Sequence, residues 1–269
     1  MSKGKERLDV LLVKQGLVAS REKAKAMIMA GLVFSGGQRL DKPGLDLPES
    51  TVLELKGGAL PYVSRGGLKL EKALKAFPLS MKEAIVADIG ASTGGFTDCA
   101  LQNGAERVYA IDVGYGQLDW KLRSDPRVVC MERVNARYLD ENSLPEKVDN
   151  VVSDVAFISV TKIFPAMLAI LKDKGQVITL IKPQFEAGRE HVGKKGVVKD
   201  PQVHVQVIEH VLEEAEKLGF TVKGLEFSPI RGPEGNIEYL AWLMREEEMG
   251  IPWRKLAPEI VQKAQEGTE

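Results

Sequence analysis

Apolar positions along the 269-residue chain change period across the stretch KGGALPYVSRGG, which is rich in glycine and holds Pro61. Before it, Leu8, Leu11 and Leu12 share one helical face that stops at Gly16. Ala24, Met27 and Ile28 form the inner face of a second helix, which Ser20 can cap and which ends near Gly31. LVFSGGQRL then reads as strand, Gly-Gly turn and strand, and TVLEL as one strand more. From about Leu68 an amphipathic helix, GLKLEKALKAF, is followed by the apolar runs AIVADIG, RVYAIDV, VVCME, VDNVVSDV and GQVITLIK, the pattern of successive buried strands. A long helix, PQVHVQVIEHVLEEAEKLGF, precedes TVKGLEFSPI and NIEYLAWLM, which can close the sheet as an antiparallel pair. The residues from Pro252 read as a peripheral helix.

The expected organisation is a small α+β domain over 1–58, a linker over 59–65 and a doubly wound, Rossmann-like α/β domain with a seven-stranded sheet over 66–269. Trp120 and Trp242 are expected in the core. Composition is that of a globular protein, and the chain has no apolar run of roughly 18 residues and no signal-peptide pattern, so a cytoplasmic location is expected. Cys99 and Cys130 lack C-x-x-C partners, and His191, His204 and His210 form no ligand pattern; neither a disulfide framework nor a metal site is expected. The net charge of −1 is unevenly spread: residues 1–42 hold nine basic and four acidic side chains, a local +5 that leaves −6 for the remainder. A basic head on an acidic body suggests an anion-binding module joined to a different machine.

In VADIGASTGGFTDCAL a strand runs into a glycine turn and then a helix, so that the backbone can approach a ligand closely at the sheet's C-terminal edge. The turn is neither G-x-G-x-x-G nor a P-loop, which disfavours a pyrophosphate or triphosphate. Asp112 ends the next strand, where a carboxylate can accept both hydroxyls of a ribose. A nucleoside without phosphates, carrying a cation that acidic surroundings favour, describes S-adenosylmethionine, and the element order suits a methyltransferase better than a dehydrogenase. The expected cofactor contacts are Asp88, Gly90, Ser92, Gly94, Gly95, Phe96, Asp112, Val113 and Asn135, the last at the adenine edge.

Four polar residues stand where the core pattern should not have them: Lys69 early in the first helix of the body, Asp154 after VDNVVS, Lys182 after VITLI and Glu238 before YLAWL. The loop FEAGREHVGKKGVVKD offers Arg189, Lys194 and Lys195 to phosphates and can act as a lid.

Two resemblances bear on these patterns. RLDVLLVKQGLVASREKAKAMIMAGLVFSGG resembles the S-four RNA-binding module, which implies phosphate contacts by Arg7, Arg21, Lys23 and Lys25, with Arg65 added from the linker. YVSRGGLKLEKAL, DIGASTGGFTD, DVGYGQLDWKLRSDPRV, SDVAFIS, IKPQFEAG and GPEGNIEYL resemble the TlyA family, in which such a module precedes a methyltransferase domain like that of FtsJ. That resemblance implies 2′-O methylation of a cytidine in ribosomal RNA, with Lys69, Asp154, Lys182 and Glu238 as catalytic tetrad and ribosomal RNA or ribosomal subunits as partner. It leaves open whether Lys182 is a general base or a cation that stabilises alkoxide charge. The rivals are a base methyltransferase and a haemolysin-like or non-catalytic RNA-binding protein. SDVAFIS has neither the Asn/Asp-Pro-Pro-aromatic segment nor the cysteine that base methylation uses, and no span, barrel pattern or surface helix for perforating a membrane is apparent.

Overall fold

The computed structural model describes residues 4–29, 31–55, 60–246 and 248–267. The chain separates into two compact units, residues 1–65 and 66–269, each with its own apolar core.

The first unit contains β1 (Lys5–Arg7), α1 (Leu8–Lys14), α2 (Arg21–Met29), β2 (Val33–Ser35), β3 (Gln38–Arg39), β4 (Asp46–Pro48) and β5 (Glu54–Leu55). Leu8, Leu11, Leu12, Ala24 and Ile28 are buried against Val33 and Leu53. The Ser20 hydroxyl accepts from the Lys23 amide at 3.2 Å, which is the expected cap. Gly36 and Gly37 take φ of +55° and +80° between Ser35 and Gln38, the left-handed pair that a two-residue hairpin turn requires. β5 pairs with β2. A second ribbon was not expected: β1 runs antiparallel to β4. Residues 56–59, including the first residue of the expected linker, lie outside those described; residues 60–65 group with the first unit, and Tyr62 is buried.

The second unit contains α3 (Gly66–Ala76), β6 (Ile85–Ile89), α4 (Gly95–Gln102), β7 (Arg107–Asp112), α5 (Trp120–Arg123), β8 (Val128–Glu132), β9 (Val148–Ser153), α6 (Phe164–Ile170), β10 (Leu171–Ile181), α7 (Pro183–Glu186), α8 (Pro201–Lys217), β11 (Thr221–Phe227), β12 (Tyr239–Met244) and α9 (Trp253–Gly267). Its seven strands lie in the order β11-β12-β10-β9-β6-β7-β8. β10, β9, β6, β7 and β8 pair in parallel, and β12 runs antiparallel to both β10 and β11. Helices cover a parallel sheet on both faces, which explains why its strands read as near-continuous apolar runs. The chain leaves β6 in one direction and returns at β9 on its other side, so the crevice between these two strands is the topological switch point where ligands of such sheets bind.

Two expectations are corrected here. Trp120 is 77% exposed: it opens the single-turn helix α5, in which only Leu122 is buried. The C-terminal helix α9 is peripheral in sequence but inserts Trp253, Ala257, Ile260, Val261 and Ala264 into the main core. Trp242 is buried as expected and stacks on Phe77.

Candidate active site

The four polar residues singled out in the sequence converge. α3 carries Lys69 in its first turn; Asp154 and Lys182 directly follow β9 and β10, and Glu238 directly precedes β12. Because β12 runs against its neighbours, its start lies at the same sheet edge as the ends of β9 and β10. Lys69 Nζ donates to Asp154 Oδ2 at 3.0 Å and to Glu238 Oε2 at 2.7 Å. Lys182 Nζ pairs with the other oxygen of Asp154. Glu238 Oε1 accepts from Gln184 Nε2 at 3.2 Å, and any Cβ on Gly232 would collide with that oxygen.

Electrostatics fix most of this cluster. Burial works against the Lys69 charge, but Asp154 and Glu238 outweigh it and hold the ammonium above the ordinary lysine range. Burial likewise opposes the Asp154 charge, yet the two lysines bring its carboxyl down to about 2.

Beside the tetrad a cavity of about 310 Å³ opens at the switch point, lined among others by Gly90, Ser92, Asp112, Asn135, Asp154 and Phe157. Asp112 staples its floor: Oδ2 accepts from the Ser92 amide at 2.8 Å and Oδ1 from the Gly114 amide at 2.7 Å. Gly90 has φ +82° and faces the Asp154 backbone, 3.1 Å from where a Cβ would sit, so this crossing needs glycine. Gly94, at φ +97°, lets the chain enter α4 under Leu118 and Leu122. Gly95 and Phe96 begin that helix and are buried; they do not line the cavity. Asn135 Oδ1 accepts from the Arg137 amide at 3.1 Å, an ordinary turn contact made by a residue that also lines the cavity.

Asp88 lies inside β6, fully buried. Its Oδ2 accepts from the Thr97 amide at 2.9 Å and hydroxyl at 2.6 Å, and its Oδ1 has no partner among the described residues. Burial pushes this carboxyl up to about 7, although the Thr97 hydrogen bonds pull the other way. Asp88 does not line the cavity but directly precedes Ile89, which does; the cavity itself, with a ribose-type carboxylate, apolar walls at Ile111, Val134 and Ile163 and no basic lining residue, suits a nucleoside better than a phosphate.

The residues expected against RNA are dispersed. Arg7 donates to Asp9 from Nε at 3.0 Å and Nη2 at 3.2 Å, and Arg21 Nη2 donates at 2.9 Å to the same carboxylate, which is fully buried. Both guanidinium groups are therefore partly committed to the head's own structure. Lys23 and Lys25 are exposed on α2. Arg65 lies beside Gly31 within the first unit. In the second unit Arg189, Lys194 and Lys195 are exposed. Their loop is anchored at its end: Asn236 Nδ2 donates to Gly196 O at 2.9 Å, and His204 bridges Val198 O, at 2.9 Å, and the Tyr239 hydroxyl, at 2.6 Å. A freely swinging lid does not match this clasp.

Phe157 escaped the sequence reading. It is 92% exposed with φ +64°, stands at the mouth of the cavity and tilts against Phe185 at 5.2 Å between ring centroids. Its place three residues past Asp154, directly after the end of a buried strand, was the available signal.

A seven-stranded sheet with one reversed strand, a nucleoside cavity without phosphate ligands at its switch point and a Lys-Asp-Lys-Glu cluster beside it define a methyltransferase that uses S-adenosylmethionine. The chain belongs to the FtsJ-like methyltransferase family, whose description matches residues 62–245, with an S4 domain matched over residues 6–53. It is 55% identical over 244 residues to the "Putative rRNA methyltransferase YqxC" of Bacillus subtilis, covering 90% of this chain and 87% of the relative. It is 40% identical over 262 residues to the 16S/23S rRNA (cytidine-2'-O)-methyltransferase TlyA of Mycobacterium tuberculosis, covering 97% and 98%. Among solved structures, the "Putative hemolysin from Streptococcus thermophilus" superposes with a TM-score of 0.79 at 51% identity, covering 99% of this chain and 98% of that one.

Proposed function

We propose that this protein transfers a methyl group from S-adenosylmethionine to the ribose 2′-hydroxyl of a cytidine in ribosomal RNA, in the cytoplasm, with residues 1–58 as RNA-binding head and 66–269 as catalytic body. The observation that carries the reading is Lys182, an amine at a strand end that meets a single carboxylate while its neighbour Lys69 is locked between two.

S-adenosylmethionine supplies a methyl carbon on a sulfonium, which leaves as a neutral thioether. The chain has then to align one hydroxyl oxygen and to remove one proton. Asp112 and Asn135 hold the ribose and adenine end of the cofactor, Ser92 and Gly90 shape the turn beneath it, and Asp88 faces its cationic end. Lys69, held charged by Asp154 and Glu238, fixes both carboxylates in place. Lys182, paired with Asp154, holds the ribose oxygen in line; as an ammonium it stabilises the alkoxide charge that develops, and as a free amine it takes the proton that the oxygen sheds. Glu238, anchored by Lys69 and Gln184, fixes the far side of the cluster.

Phe157 and Phe185, with Arg189, line a second cavity on the far side of the Phe157 ring. Rings and a guanidinium there suit an unstacked base and its phosphate. Lys23 and Lys25 of the head, with Lys194 and Lys195 of the body, add sequence-independent affinity for the RNA backbone.

The test is single-turnover methylation of ribosomal RNA by the wild-type protein and by Lys182→Ala, with cofactor affinity measured in parallel. Loss of transfer with binding retained supports the assignment; wild-type turnover by the variant removes it.

A further inference from the structure

The edge of the body formed by β7 and β8 carries an unusual set of exposed side chains. Val113, Tyr115, Trp120 and Tyr138 are each about 70% exposed or more (72, 69, 77 and 73%), in loops that directly adjoin the cofactor cavity. The segments of Tyr115, Trp120 and Arg133 are joined to one another, and the turn before Arg137 and Tyr138 shares the cavity lining with Val113 through Asn135 and Ala136. The Arg133 amide donates to Gly114 O, the Gly116 amide donates to Glu132 Oε1, and Arg123, in the same helix turn as Trp120, pairs with Glu132.

Two arginines lie on the rings. The Arg133 guanidinium stands 4.3 Å from the centroid of Tyr115, and that of Arg137 stands 6.0 Å from Tyr138. Among the described residues no carboxylate lies within ion-pair distance of either. The nearby acids are used internally: Glu132 by Arg123 and the Gly116 amide, Asp112 by the Ser92 and Gly114 amides, Asp119 by the Lys121 amide. The patch thus presents flat π surfaces and two arginines that make no ion pair among the described residues, with Asp119 beside Trp120 and Asp140 and Glu141 beyond Tyr138 as the acids at its margin. A protein-binding patch would be expected to bury apolar side chains or to pair its charges; a plane of ring and guanidinium with free positive charge is what unpaired nucleotides stack on.

We infer that Tyr115, Trp120, Arg133, Arg137 and Tyr138 form a second RNA-binding surface, a stacking platform for single-stranded nucleotides that flank the target. The inference rests on the reading of RNA as substrate. Duplex RNA shows no base faces, so the platform selects unstacked segments and directs them toward the mouth of the cofactor cavity. Specificity for an accessible loop then comes from the body as well as from the head.

The test uses the full chain and two variants, Arg133→Ala/Arg137→Ala and Trp120→Ala, whose side chains are exposed and outside the cofactor and tetrad contacts. Binding of a short fluorescein-labelled oligouridylate and methylation of rRNA from cells lacking the enzyme are measured beside S-adenosylmethionine affinity and sedimentation. The expected result is about tenfold weaker oligouridylate binding and a KM for rRNA raised about tenfold in each variant, with kcat and cofactor affinity within about twofold of wild type. Wild-type oligouridylate binding by both variants overturns the inference. So does a wild-type dimer that the variants dissolve while RNA binding persists, since the patch would then be an interface between copies. If wild-type protein binds oligouridylate through this patch but transfers no methyl to rRNA, the substrate reading fails and the platform stands.

Discussion

Lys69 and Glu238 lie 169 residues apart in the chain, and their side chains meet at 2.7 Å, Glu238 out of contact with solvent and Lys69 nearly so. The pair ties the first helix of the body to the one strand that runs against the sheet. Two buried charges hold there because Asp154 and Gln184 complete their hydrogen bonding. Lys69→Met should therefore leave Glu238 and Asp154 short of a cation and destabilise the body by about 3 kcal/mol. Glu238→Gln, which keeps an oxygen for Lys69, should cost less. Urea unfolding of the three proteins checks this, and equal midpoints would contradict it.

Lys182 should separate chemistry from binding. Lys182→Ala should lower kcat by at least about a hundredfold, the scale of losing either a proton acceptor or an alkoxide-stabilising cation, while calorimetry finds cofactor affinity within a few fold of wild type. A rise in KM with kcat intact would instead make Lys182 a binding residue.

Asp88 gives the account a pH dependence with a definite sign. Its carboxyl sits at about 7 in the folded protein because burial penalises the charge, against 3.8 for an ordinary aspartate. The native state therefore holds a proton that the unfolded chain has lost, so the unliganded body should lose stability as pH rises from about 4 to about 7. A cation placed beside Oδ1 favours the ionised form, so binding of S-adenosylmethionine near pH 6 should release protons and tighten toward pH 8. Calorimetry in buffers of different ionisation enthalpy reads this directly. Asp88→Asn should abolish the release, and a proton count of zero for wild type at pH 6 would place the cationic end elsewhere.

The head should show two kinds of basic residue. Lys23→Ala/Lys25→Ala should weaken rRNA binding and flatten its salt dependence by about two charges, with unchanged thermal stability. Arg7→Ala/Arg21→Ala removes both partners of buried Asp9, whose carboxyl the Arg7 hydrogen bond holds at about 2 against the effect of burial. That variant should unfold at lower temperature, so its RNA binding has to be read against its stability. Equal melting points for the two double variants would show that Asp9 does not need the arginines.

Much of this was legible in the chain because the body's strands are buried on both faces: a lysine after VITLI or a glutamate before YLAWL has no place in such a run unless the strand ends there. The seven strands of the sheet and the strand-end places of Asp154, Lys182 and Glu238 follow from that pattern, whereas Lys69, on a helix, is joined to them through the family resemblance. Three-residue strands carry no period, so the ribbon of β1 and β4 could not be read from local pattern. Asp9 stands in the first turn of α1, where acids are common; that it is the buried anchor of two arginines depends on the fold of the head. Trp120 reads as core because it is not interleaved with basic residues in the sequence, whereas a helix of one turn has only Leu122 to bury. Asn236 and His204, which clasp the 193–199 loop, act through contacts with residues distant in sequence that no spacing rule reveals.

The central claim concerns which oxygen receives the methyl group, and one measurement reaches it. Purified protein is incubated with tritiated S-adenosylmethionine and rRNA from cells lacking the enzyme, and the product is hydrolysed in alkali, which cleaves next to a free 2′-hydroxyl and spares a methylated one. The account predicts that the label appears in an alkali-resistant dinucleotide whose first residue is 2′-O-methylcytidine, and that Lys182→Ala yields none. Label released as a base-methylated mononucleotide, or incorporated equally by Lys182→Ala, would contradict it.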